Sequence, residues 1–134
     1  MKRIVIIGAT SGIGYEVAKI YRQLGWHVGV AGRRLELLEK FKEQAPGQIE
    51  IQELDVTKAD AVEKLHRLIG KLGGMDLYFH SSGIGWQNNT LDIEKELKTV
   101  ETNGLGFTRM VDTAFNWFAA QSSTPTNKSK LSVP

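Results

Sequence analysis

The sequence predicts an α/β protein, a three-layer sandwich with a parallel sheet between helices. Three observations predict it. Four short strand-like runs, Ile4–Ile7, His27–Ala31, Ile49–Leu54 and Met75–His80, punctuate the chain, the third of them alternating apolar and polar residues. Between them, apolar residues recur at helical spacing rather than strand spacing. The first run ends in a glycine-rich turn, Gly8-Ala-Thr-Ser-Gly12-Ile-Gly14, that leads straight into a helical pattern. Strands alternating with helices require right-handed crossovers, which place helices over both faces of one sheet.

Each element has a local reason. Ile4–Ile7 is continuously apolar and β-branched, the texture of a strand buried on both faces. Ile13, Val17, Ile20, Tyr21 and Leu24 mark the first helix, which Gly25 stops. Leu35, Leu38 and Phe41 mark the second, ended by Pro46-Gly47. Thr57 followed by Asp60 is a weak relative of the capping box. Behind it, Val62, Leu65, Leu68, Ile69 and Leu72 carry a third helix to Gly73-Gly74. After the fourth strand, a helical pattern starts at Asp92, is interrupted with an expected kink at Asn103–Gly106, and resumes through Phe118. The sandwich therefore reads as truncated after its fourth strand and the helix behind it. Residues 1–121 form one domain, and 122–134, SSTPTNKSKLSVP, have the composition of a flexible tail. In that tail only Leu131 and Val133 are strand material, so strand four is left at an edge that a partner or the tail must cover.

Composition narrows the function. The 134 residues suffice for one core. Seventeen Lys and Arg against 15 Asp and Glu leave a net charge of +2, too small a surplus for a nucleic-acid footprint. No run approaches the roughly 20 apolar residues of a membrane span. The absence of Cys removes thiol chemistry and disulfides and suits a reducing compartment, so a cytoplasmic location is expected. His27, His66 and His80 lack metal-ligand spacing and are expected to be packed or surface residues.

Glycine lets a ligand approach the main chain. A glycine turn between a buried strand and a helix aims free backbone N–H groups and the positive helix end at an anion. A diphosphate suits that geometry, with Gly8, Thr10, Ser11, Gly12, Ile13 and Gly14 around it. The alternative is a tight turn with no ligand. The place of this turn at the first strand of an alternating pattern favours the phosphate.

With that turn, Leu54-Asp55-Val56, His80-Ser81-Ser82-Gly83 and Val100-Glu-Thr-Asn103 in order, the chain resembles the short-chain dehydrogenase/reductase family from Ile4 to about Ala120. The resemblance implies a Rossmann-like fold and a nicotinamide dinucleotide. It implies an adenine contact at Asp55 and Val56, and a nicotinamide-ribose contact at Ser82 and Gly83. It gives Asn103 the role of the catalytic asparagine that positions a relay water. The substrate of the longer form is expected to be a small carbonyl or alcohol, and a homodimer is expected. Where the family has Thr before the first glycine this chain has Ile7, and where it has Asn-Asn it has His80-Ser81. Strand two ends in Gly32-Arg33-Arg34. A carboxylate there would read NAD, whereas two guanidiniums can grip a 2′-phosphate, so NADP(H) is the expected cofactor. The alternatives are solvated arginines at 33 and 34 and a loop aspartate at 55 that bonds its own backbone.

The family's chemistry uses a serine, then a tyrosine with a lysine four residues on. Tyr15 and Lys19 have that spacing but lie on the helix whose start faces the diphosphate, far from the nicotinamide. They are expected to be ordinary helix residues. Tyr78 is followed four residues later by Ser82, and no Tyr occurs after it. These 134 residues are therefore expected to bind cofactor without catalysing hydride transfer, with a non-catalytic NADP(H)-binding or protein-interaction module as the alternative.

Overall fold

The computed structural model describes residues 2–8, 12–81, 106–121 and 130–132. The strands are β1 (Arg3–Ile7), β2 (His27–Gly32), β3 (Ile49–Glu53) and β4 (Leu77–His80). The helices between them are α1 (Gly12–Gln23), α2 (Leu35–Glu43) and α3 (Ala61–Leu72). A helix α4 (Phe107–Gln121) and a short strand β5 (Lys130–Ser132) complete the described elements. The sheet is parallel throughout, in the order β3-β2-β1-β4-β5.

Alternation along β1 explains why its sequence is continuously apolar. Ile4 and Ile6 pack with Val28, Val30, Ile49 and the α1 and α2 residues Ala18, Leu38 and Phe41. Val5 and Ile7 point the other way, into Leu65, Leu68 and Ile69 of α3 and Met110 and Ala114 of α4. Both faces are dry from Ile4 to Ile7, so no polar position is tolerated after Arg3, which is half-buried at the strand's start. β4 divides in the same way. Leu77 and Phe79 flank the α1–α2 layer, while Tyr78 and His80 enter the α3–α4 layer.

The predicted stop of α1 is present in detail. Gly25 N–H donates to Arg22 O at 3.1 Å and Trp26 N–H donates to Tyr21 O at 3.1 Å, the paired bonds of a glycine-terminated helix. Tyr21 and Trp26 meet edge to face, with ring centroids 4.8 Å apart, closing the helix end with an apolar contact.

Two expectations need correction. The sheet goes one strand beyond β4, because Leu77–Phe79 pair with Lys130–Ser132. Of the two covers the sequence left open for that edge, the chain uses its own C-terminal segment. Thr57 does not cap α3 either. Its hydroxyl donates to Asp55 Oδ1 at 2.7 Å and its N–H to the same oxygen at 3.0 Å, so the side chain is committed to the preceding turn. Asp60 stands at the start of α3 without a side-chain cap bond. The interruption expected at 103–106 lies, apart from Gly106, outside the described residues.

Candidate functional site

The carboxyl ends of β1, β2 and β4 meet where the strand order reverses, the position at which an open parallel sheet leaves a crevice. Gly8 N–H donates to Ala31 O at 2.8 Å, and Ser81 N–H donates to Ile7 O at 2.9 Å. These bonds fix the floor. Gly8 has φ +84°, and a Cβ there would overlap the Ser81 carbonyl oxygen. One on Gly14 would overlap the carbonyl oxygen of Gly8. Both glycines are therefore needed by the protein itself, because α1 starts hard against the ends of two strands. Gly12 is different. At φ +66° no atom of the described residues lies within 4 Å of where its Cβ would stand, so among them its surroundings are open. The first turn of α1 carries no acidic residue, which leaves the positive helix end uncompensated there.

The other predicted positions divide. Arg33 and Asp55 line one open cleft of about 600 Å³, together with Glu53, Lys58, Ala59, Asp60 and Lys64. Arg34 stands at the start of α2, with extended backbone and no side-chain cap bond. Both arginines are exposed, and among the described residues neither forms an ion pair. Asp55 and Val56 are half-buried. Asp55 makes the self-bonding turn that the sequence offered as the alternative, its Oδ1 accepting from Thr57 N–H and from the Thr57 hydroxyl. Ile13 points outward, 63% exposed. Thr10, Ser11, Ser82, Gly83 and Asn103 lie outside the described residues.

Tyr15 and Lys19 belong to α1 packing. The Tyr15 ring meets Phe41 edge to face at 5.6 Å, and Lys19 Nζ lies 5.1 Å above that ring and 3.3 Å from Glu16. His27 is half-buried, His66 is exposed, and no cluster of metal-ligating side chains exists among the described residues. No helix among them is long and apolar enough to cross a membrane.

Sequence reasoning missed two features. Lys58 and Lys64 add cations to the Arg33 cleft, and only the fold of the β3–α3 loop brings them there. Tyr78 and His80 form a buried pair with Oη and Nδ1 2.8 Å apart. Their spacing of two along a strand, which puts them on one face, was the available signal. Burial holds the Tyr78 phenol far above its ordinary range and lowers His80 to about 4.

The strand order and the glycine crevice define a doubly wound, Rossmann-like α/β protein. Residues 2–124 match the short chain dehydrogenase family model. An oxidoreductase of Myxococcus xanthus, itself uncharacterized, is 36% identical over 108 residues, covering 76% of this chain and 43% of that one. Serine dehydrogenase from Escherichia coli superposes with a TM-score of 0.79 at 24% identity, over 89% of this chain and 56% of that one. An alcohol dehydrogenase of the archaeon Thermococcus sibiricus, solved with 5-hydroxy-NADP, gives 0.75 at 27% identity, over 90% and 54%. The chain belongs to the short-chain dehydrogenase family, and it spans about half the length of these relatives.

Proposed function

We propose that residues 1–121 form the NADP(H)-binding part of a carbonyl or alcohol oxidoreductase. The diphosphate lies against the turn from Gly8 through Thr10, Ser11, Gly12 and Ile13 to Gly14. Asp55 and Val56 face the adenine, Ser82 and Gly83 the nicotinamide ribose, and Arg33 and Arg34 the 2′-phosphate. The observation that carries this reading is the open space at Gly12 among the described residues, beside a helix start whose first turn has no acidic residue, which favours an anion there. Two exposed arginines in succession at the entry to α2, without ion-pair partners among the described residues, support the 2′-phosphate, as does the 5-hydroxy-NADP of the Thermococcus enzyme. The bound cofactor would supply or accept the hydride. The protein's part is to hold the dinucleotide's phosphates and bases in register with the sheet.

Tryptophan fluorescence titration tests the reading. NADPH is expected to saturate the chain and to bind at least tenfold more tightly than NADH. Arg33→Ala with Arg34→Ala is expected to remove roughly that factor for NADPH alone, since a hydrogen bond to a charged group contributes about 1.5–3 kcal/mol. Equal affinities, or no saturable binding, would remove the cofactor assignment. Asn103 is the one member of the family's catalytic set to which these residues offer a match. We therefore expect no hydride transfer from 1–134 alone with a panel of ketones and aldehydes, and turnover in a form extended through a Tyr-x-x-x-Lys segment. A cytoplasmic setting fits the absence of Cys, and Phe115, 61% exposed on α4, fits pairing of two copies through that helix.

A further inference from the structure

The geometry points to Arg109 as a positioning residue for the adenosine end of the dinucleotide, acting through the loop that joins β3 to α3. The inference rests on the reading of Asp55 and Val56 as the adenine contact.

Arg109 lies in the first turn of α4, more than fifty positions from that loop in sequence, yet its guanidinium reaches across to it. Nη1 donates to Lys58 O at 2.7 Å and to Val56 O at 3.3 Å. Among the described residues it has no carboxylate partner, so its fixed charge is spent on two main-chain carbonyls. Close packing backs the clamp. A Cβ on Gly106 would stand 2.6 Å from Val56 Cγ2, so the start of α4 rests directly on the Val56 side chain.

The loop's internal bonds define a turn but do not say where it sits. Thr57 holds Asp55 Oδ1, Lys58 N–H donates to Asp55 O at 3.0 Å, and Ala61 N–H donates to Lys58 O at 3.2 Å. Its tie to the sheet, Leu54 N–H to Gly32 O at 2.8 Å, precedes the turn. Arg109 and the Gly106 contact add a tie from the turn's far side to α4, beside the packing of Val56 against the core. A loop held in its binding shape before the ligand arrives has less ordering to do on binding. Losing Arg109 should therefore weaken the grip on adenosine even where the fold survives.

The test titrates the full chain with adenosine 2′,5′-bisphosphate, the adenosine end alone, and compares Arg109→Ala and Arg109→Lys with Val111→Ala. Val111 is half-buried on the same helix and packs against the core through an apolar side chain that cannot hydrogen-bond the loop carbonyls. Arg109→Ala should lose about tenfold in affinity. Arg109→Lys, which can still reach one carbonyl, should recover part of it. Val111→Ala should lower the melting temperature and keep the parent affinity. An unchanged affinity in Arg109→Ala, or an equal loss in Val111→Ala, overturns the positioning role while leaving the cofactor site standing. Should Arg109→Ala not fold, the comparison of Arg109→Lys with Val111→Ala decides in the same way. If the parent chain binds neither NADPH nor the bisphosphate, the cofactor reading falls and this inference with it.

Discussion

Gly8→Ala is expected to destabilise the chain by about 4 kcal/mol or more, a loss that few single substitutions produce and that takes much of a domain's usual margin. Two causes add. Gly8 sits at φ +84°, where a side chain costs about 1–2 kcal/mol. The new methyl would also overlap the Ser81 carbonyl oxygen, a backbone atom that cannot swing aside. Relief would require β1 and β4 to separate at their carboxyl ends, breaking the Ser81 N–H bond to Ile7 O or the Gly8 N–H bond to Ala31 O. Gly12→Ala provides the contrast. It shares the strained angle, φ +66°, but has open space around the added carbon, so its stability cost should be about 1 kcal/mol while the methyl stands where the diphosphate is proposed to lie. Urea denaturation and NADPH titration of both variants separate structure from binding. A Gly8→Ala midpoint close to that of Gly12→Ala would show that the Ser81 contact is not the constraint described.

The two glycines also show what a sequence can and cannot convey. Their spacing after Ile4–Ile7 was enough to place a strand, a turn and a helix start, because each needs only local backbone geometry and a buried apolar run. The close of α1 was legible for the same reason, since Gly25 and Trp26 make their bonds within a few residues of Arg22 and Tyr21. Legibility failed where the partner was distant or contested. β5 has three residues and weak strand composition, and it exists because β4 leaves an edge beside it. Thr57 could equally cap a helix or bond Asp55, and nothing local decides between them. Arg109 reads as one more helix arginine until the fold brings Lys58 O within 2.7 Å of it. At the candidate site, the cations of strand two were visible as a dipeptide, whereas Lys58 and Lys64 joined the same cleft only through the loop's path.

Between pH 7 and pH 4.5 the chain is expected to lose about 3 kcal/mol of stability through His80. Tyr78 Oη and His80 Nδ1 are hydrogen-bonded at 2.8 Å, and both side chains are shut off from water, at 0% and 1% exposure. A proton taken up on Nδ1 would reverse that bond, with Nδ1–H donating to the phenol oxygen, and would bury a charge. Burial accordingly lowers the imidazole from its ordinary 6.5 to about 4. The unfolded chain has no such penalty and takes up the proton near pH 6.5. A depressed folded value means the stabilisation is complete above about pH 6.5. It is then lost at about 1.4 kcal/mol per pH unit as the pH falls toward 4, where the folded form also protonates and the slope ends. Denaturation curves for the parent and for His80→Asn, which has no ionisable ring, provide the measurement. The parent should decline across the window and the variant should stay nearly level, and parallel declines would remove His80 as the cause. Tyr78→Phe should cost about 1–3 kcal/mol at neutral pH by leaving Nδ1 without this partner. His80 ends β4 directly before Ser81, whose carbonyl closes over Gly8. Acid that loosens this pair should therefore weaken NADPH binding at a higher pH than the one at which the whole chain unfolds.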